Sequence, residues 1–196
     1  MVEEARGQWL LLIHRVPQEP PGRRTFVWRQ LKQLGAVYLQ QAAAIVPDRA
    51  ELRVALEVLA ARIRGEFEGE VSLLETSSPD APWEADLIAR FNKARNAEYE
   101  ELIENVERFE DEIRRETRKQ KFTFAELEDL DSDWDKLQRW RQRMLARDFF
   151  GASTRATAEA ALEHGRKMLD EFTETVYAHE GVQEGACGNP PADRSD

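Results

Sequence analysis

The 196 residues contain one cysteine, Cys187, which excludes a disulfide framework and a multi-cysteine metal site. Long apolar runs are also missing. The longest near the start, Trp9 to Ile13, spans five residues and follows two acids, so it is neither a signal peptide nor a membrane span. A cytosolic protein is expected. Positive charge is scarce as well. The formal net charge is −10, which argues against sequence-blind coating of nucleic acid but admits a local basic patch. The glycine-rich phosphate loops, HExxH and GxSxG are absent. The histidines, His14, His164 and His179, have no metal-ligand spacing to one another or to Cys187. With no nucleophile, base or metal constellation in view, the expectation is a non-enzyme that carries no cofactor and no metal. A lone histidine in a core strand, such as His14, reads as a packing or edge residue, and Cys187 as a passive exposed thiol.

What the chain does have is a 41% hydrophobic share and a 34% charged share, enough for a folded core under a densely charged surface. The length suits one compact domain, or two small ones sharing an interface. Charge is unevenly placed. Residues 1–80 hold 10 basic and 11 acidic side chains, residues 81–135 hold 9 and 17, and residues 136–150 hold 5 and 1.

The run QWLLLIHRV (8–16) is apolar at both parities, which predicts a strand covered on both faces. A proline loop (16–22) leads into a helix over 23–34, with Val27, Leu31 and Leu34 on one face and Gly35 just past its end. Residues 36–47 read as extended, with a hairpin break near Gln40 and Gln41. Asp48 and Glu51 have capping-box spacing before a helix that carries Leu52, Leu56, Leu59 and Ile63 and ends at Gly65. EVSLLET (70–76) reads as the last strand. The order β, α, β(β), α, β predicts a small ferredoxin-like sheet.

Beyond the linker 77–83, where Asp80 is the expected N-cap, the period is helical. Leu87, Phe91, Ala94, Leu102, Val106, Phe109 and Ile113 predict one long helix to about residue 118. Thr123 and Glu126 open a second, carrying Leu127, Leu130, Trp134, Leu137, Arg141 and Met144 and broken by Gly151. A third, roughly 154–178, carries Ala158, Ala161, Met168, Phe172 and Val176. The fold class expected is therefore α+β and helix-rich: a ferredoxin-like part over 1–78, an antiparallel three-helix bundle over 79–180 packed on its open sheet face, and a disordered tail over 181–196.

The acids of ELEDLDSDWD (126–135) lack the spacing and the glycine of a calcium loop. Glu128, Asp131 and Asp135 are expected to face water. Two basic groups remain. Arg23, Arg24, Arg29 and Lys32 lie on or just before the first helix. Arg139, Arg143 and Arg147, beside Trp140, repeat at i+4 and are expected to form one stripe, with Arg141 on the apolar seam. Guanidinium forks suit phosphates and oxyanions. The same spacing also suits a stripe neutralised by the acidic helix around Glu100, Glu104 and Glu107, and from spacing alone both stay open.

The segment KFTFAELEDLDSDWDKLQRWRQRMLARDFFGAS resembles the N-terminal region of the ChrB family of chromate-resistance regulators. The opening WLLLIHRVPQEPPGRRTFVWRQLKQLGAVYLQQAAAIVPD is similar to that family's start: a strand, a proline loop, an arginine-rich helix with a tryptophan, an LGA turn and a strand ending in proline. The resemblance covers about residues 8–178. It implies a cytosolic, chromate-responsive, DNA-binding regulator whose arginines meet DNA phosphates or the oxyanion. By this resemblance Arg23, Arg24 and Arg29 match the basic first helix, and Arg139, Arg147 and Asp148 match the RW and RDFFGA block. Full-length members continue into a second domain expected to contribute to sensing, so a stand-alone first domain is the expectation here. No helix-turn-helix is visible. The candidate anion or DNA contacts are Arg23, Arg24, Arg29, Lys32, Arg139, Trp140, Arg143 and Arg147. The candidate partners are operator DNA, chromate or another oxyanion, and a second copy in a homodimer, with no membrane. The competing reading is a non-catalytic module that binds a partner protein through its acidic bundle.

Overall fold

The first expected strand forms as β1 (Gln8–Arg15) in a computed structural model that describes residues 7–19 and 21–186. It is followed by α1 (Arg23–Gln33), β2 (Val37–Gln40), β3 (Ala43–Pro47), α2 (Ala50–Gly65) and β4 (Glu70–Ser77), then by α3 (Ala81–Arg118), α4 (Phe124–Leu145) and α5 (Arg155–Ala186). The sheet order is β2-β3-β1-β4 with antiparallel pairing throughout. Each helical crossover steps over one strand, so the topology is the ferredoxin-like βαββαβ.

The chain divides into two compact units, one drawn from Met1–Asn96 and Leu145–Ala152, the other from Ala97–Met144 and Ser153–Asp196. The division falls inside α3, and residue 78 marks the approach to that helix.

In the first unit the double-sided strand explains itself. Side chains alternate along β1. Leu10 and Leu12 face α1 and α2, in a core with Val27, Leu31, Leu56 and Ile63. Trp9 points the other way and is buried with Ile45, Leu87 and Phe91. The second face is thus covered by the beginning of α3, together with Phe149 and Phe150. The Trp9 ring stacks on Phe91 at 5.8 Å, and its Nε1 donates to Ser78 Oγ at 2.8 Å.

Local signals set the ends of the elements. Past α1, Gly35 has φ +76°, its N–H bonds to the Lys32 carbonyl, and the Ala36 N–H bonds to the Leu31 carbonyl. That is a Schellman cap, which favours glycine in the left-handed region. Asp80 caps α3 through the Trp83 N–H at 2.8 Å, and Thr123 Oγ1 accepts from the Glu126 N–H at 3.4 Å. The capping box expected at Asp48 does not form. The N-cap is Arg49, without a side-chain bond, because Asp48 accepts from Arg53 at 2.6 Å.

The second unit is the antiparallel bundle. Phe109 meets Trp134 at 5.5 Å, and Arg141 reaches across to Glu159, with the shorter bonds at 2.7–2.8 Å. The α5 seam holds as expected at Ala158, Phe172 and Val176 but shifts by one residue in between, to Leu162 and Leu169. Ala158, Leu162, Leu169, Phe172 and Val176 are buried, while Ala161 and Met168 are half-buried. The reason is Gly165, which lets α5 approach Val106 and Trp134 closely. α5 also continues to Ala186, beyond the expected end at 178. The remainder of the expected tail, 187–196 with Cys187, lies outside the described residues. No helix among the described residues is long and apolar enough to cross a membrane.

At the end of α3, Glu116 is buried and bridges Lys119 at 2.8 Å and Arg115 at 3.1 Å. Hydrogen bonds from Lys119 and then Arg115 bring its carboxyl down from the usual value to about 2. A carboxyl whose pKa is lowered by folding adds stability above its unfolded value, and loses it as pH falls toward the folded value.

Two outcomes follow from this packing. In Gly35→Ala, a Cβ would lie 3.0 Å from Arg147 Cβ and 3.1 Å from the Phe149 ring, at a positive φ. A stability loss of about 2 kcal/mol is expected, seen as a lower urea midpoint at unchanged slope. Glu116→Gln should lower the urea midpoint near neutral pH, with the deficit shrinking as pH falls from about 5 toward about 2.

Candidate functional site

α1, RRTFVWRQLKQ, carries four cations and no carboxylate. Arg23 and Arg24 occupy its first turn, the wrong sign for the positive end of a helix dipole. Their contacts account for that. Arg23 Nη1 donates to the Phe67 carbonyl at 3.0 Å, and Arg24 Nε donates to the Val16 carbonyl at 2.9 Å. Both arginines therefore fasten α1 to the sheet and the α2–β4 loop. Arg29 is exposed, and among the described residues no hydrogen bond or ion pair engages it. Lys32 is exposed with its Nζ over the Trp28 ring, 5.4 Å from the centroid.

The expected stripe of Arg139, Arg143 and Arg147 does not form as one row. α4 ends at Leu145, six residues before Gly151, because Phe149 and Phe150 leave the helical path to enter the Trp9 core. Arg147 is carried with them into the first unit, where Nη1 donates to the Lys32 carbonyl at 3.1 Å. Asp148 Oδ1 accepts from the Ala152 N–H at 2.9 Å and closes that turn. In the second unit Arg139 lies 4.0 Å from Asp135 of its own helix, Arg143 is exposed, and Trp140 is half-buried. So Arg147 joins Lys32 at the end of α1, while Arg139 and Arg143 remain on α4. The acids Glu128, Asp131 and Asp135 face water as expected.

Beside α1 lies a cavity of about 460 Å3 that composition alone did not reveal. Arg24 and Trp28, one turn apart on α1, form one wall. His14 and Arg15 from the end of β1 and Tyr38 from β2 form the opposite wall, and Gln41 and Ala42 of the hairpin turn close it. The sheet register places His14 and Tyr38 on the α1 side, because Tyr38 is opposite Ala44, and Ala44 is opposite Leu12. The two rings meet edge to face, 6.3 Å apart. Burial pushes the His14 pKa down and the Tyr38 pKa up, so both are neutral near pH 7. His14 Nε2 is buried without a hydrogen-bond partner. Among the described residues that line this cavity, Arg24 brings a guanidinium from α1 and no carboxylate is present. The one advance signal was the even-numbered row Leu10, Leu12, His14, which puts the imidazole at the rim of the core.

Among the described residues, no cluster of three or more His, Cys, Asp or Glu is placed to hold a metal ion. The arrangement offers positive charge, aromatic faces and neutral hydrogen-bonding groups.

The sequence matches the family model described as Protein ChrB, N-terminal, over residues 24–183. It is 36% identical over 95 residues to Protein ChrB of Cupriavidus metallidurans. That stretch covers 48% of this chain and 28% of the relative, so the chain matches well under two thirds of the curated protein's length. With most of its length, including α1 through α5, inside the family match, this chain belongs to the family of ChrB N-terminal regions.

Proposed function

We propose that this chain is a cytoplasmic chromate-resistance protein that acts as a non-catalytic transcriptional regulator and meets DNA phosphates through the exposed face of α1. The observation that carries the reading is the state of the cations. Several arginines elsewhere are neutralised along their own helices: Arg62 by Glu66, Arg90 by Asp86, Arg108 by Glu104, Arg114 by Glu110 and Arg166 by Asp170. α1 has no acid to do this, and Arg29 and Lys32 stand on it without an ion pair among the described residues. On a chain of net charge −10, DNA contact requires such an un-neutralised face. Trp28 between the cations adds a stacking surface, and Arg147 extends the positive group beyond Lys32. Membership of the ChrB family supports the link to chromate resistance, and chromate is the proposed oxyanion that modulates binding.

The test is binding to the DNA upstream of the chain's own gene over a salt series, with and without chromate. Specific binding that weakens steeply with salt is expected. Arg29→Gln with Lys32→Gln should weaken it several-fold and reduce the salt slope by about 2. The urea midpoint of that double variant should stay within about 0.5 kcal/mol of the parent. Arg23→Gln should instead lose about 1 kcal/mol of stability with the Phe67 carbonyl bond. Equal affinity for scrambled DNA overturns the DNA reading and turns the search to a protein partner of the acidic bundle.

A further inference from the structure

The cavity between α1 and the sheet is too large for the oxyanion that the family suggests. A tetrahedral oxyanion needs the room of a few water molecules at roughly 30 Å3 each. The cavity's volume of about 460 Å3 falls in the range of roughly 300–1,000 Å3 that holds organic ligands. Its lining is also wrong for a bare oxyanion, since three of the lining side chains, Trp28, Tyr38 and His14, present rings.

We propose that this cavity binds a nucleoside monophosphate group: a planar heteroaromatic base stacked on Trp28, with its phosphate held by Arg24. The proposal goes beyond the duplex-contact reading and shares α1 and the Trp28 indole with it, but not Arg29. Trp28 is 48% exposed, large for a tryptophan that no core needs. Lys32 covers one face of the indole and leaves the other for a base. Bases stack on aromatic side chains whatever their identity. The Arg24 Nε bond to Val16 fixes the guanidinium plane and leaves its terminal nitrogens to donate.

The polar edge of a base finds neutral partners. The Tyr38 hydroxyl stays protonated and can donate, and the Gln41 amide both donates and accepts. The His14 ring closes the inner end of the cavity, edge to face with Tyr38. Among the described residues, no carboxylate lines the cavity to repel the phosphate.

The same chemistry is present in a free nucleotide and in an unpaired nucleotide of a single strand. Isothermal titration of the full chain with the four common nucleoside monophosphates, a short single-stranded oligonucleotide, inorganic phosphate and molybdate separates these sources. Saturable nucleotide binding is expected, at least tenfold tighter than phosphate or molybdate. Trp28→Leu should lose about tenfold or more, and Tyr38→Phe, which keeps the ring, should lose less and respond differently among the bases. Tighter binding of free nucleotide identifies a small-molecule effector, and tighter binding of the oligonucleotide identifies a single strand as the source. Arg29→Gln lies outside the lining and should leave nucleotide binding intact while weakening duplex DNA, so this site and the duplex contact fail separately. Equal binding of phosphate and nucleotide, or nucleotide binding untouched by Trp28→Leu, overturns the proposal, as does the lack of any nucleotide binding.

Discussion

The first unit depends on one strand being buried on both sides. β1 is the second strand from the β4 edge, hydrogen-bonded to β3 and β4, and it sends Leu10 and Leu12 into one core and Trp9 into another. Burying a large apolar side chain is worth roughly 1.5–3 kcal/mol. The Trp9 Nε1 bond to Ser78 adds less, a net of about 1 kcal/mol. Its larger importance is negative, since an indole N–H buried without a partner would cost about as much as the bond returns several times over. The need to cover Trp9 then dictates distant features. It brings the beginning of α3 across the sheet, and it draws Phe149 and Phe150 out of the helical path after Leu145. Arg147 and Asp148 are placed by this demand. Arg147 lands on the end of α1, and its Cβ occupies the space that makes Gly35 obligatory.

Charge follows a second rule. The bundle helices carry many acids and bases, and many of the bases settle into pairs with acids three or four residues away. Each such exposed pair contributes only a few tenths of a kcal/mol. Their main effect is to remove free cations from the surface. α1 departs from the rule because it lacks acids, and its two first-turn arginines bond to carbonyls instead. What remains exposed on it is a small cationic face around an indole. The asymmetry is local, which is how a strongly acidic chain can retain a cationic face.

The fold was largely legible because it rests on periods. The apolar run of β1, the three-and-four spacing of the bundle and the glycine after α1 each have one physical meaning. The misreadings have a common cause, competition for a side chain by a group remote in sequence. Asp48 has capping-box spacing, yet Arg53 claims its carboxylate, and Arg53 also bonds Glu75 of β4. Arg139, Arg143 and Arg147 repeat every four residues, yet the core claims the two phenylalanines that follow, and the helix ends early. The phase of α5 was set by the missing side chain of Gly165, which sequence periodicity treats as a gap. The cavity was not legible because it needs the register between β1, β3 and β2. Only that register brings His14 and Tyr38 onto the face that Arg24 and Trp28 overhang.

Arg24 connects the two levels. Its Nε is spent on the Val16 carbonyl, where β1 gives way to the proline loop. A lysine at this position could neutralise a phosphate, but it could not hold that carbonyl and present two further donors in a fixed plane at once. The anchoring bond costs the site little and returns orientation, since a guanidinium held by one edge loses less side-chain freedom when its other edge binds. The structural reading and the functional reading of Arg24 are therefore one statement: the bond that fastens α1 to the sheet also aims the guanidinium into the cavity. His14 works in a similar way, since its backbone N–H bonds the Ala42 carbonyl and fixes the hairpin turn as a wall of the cavity.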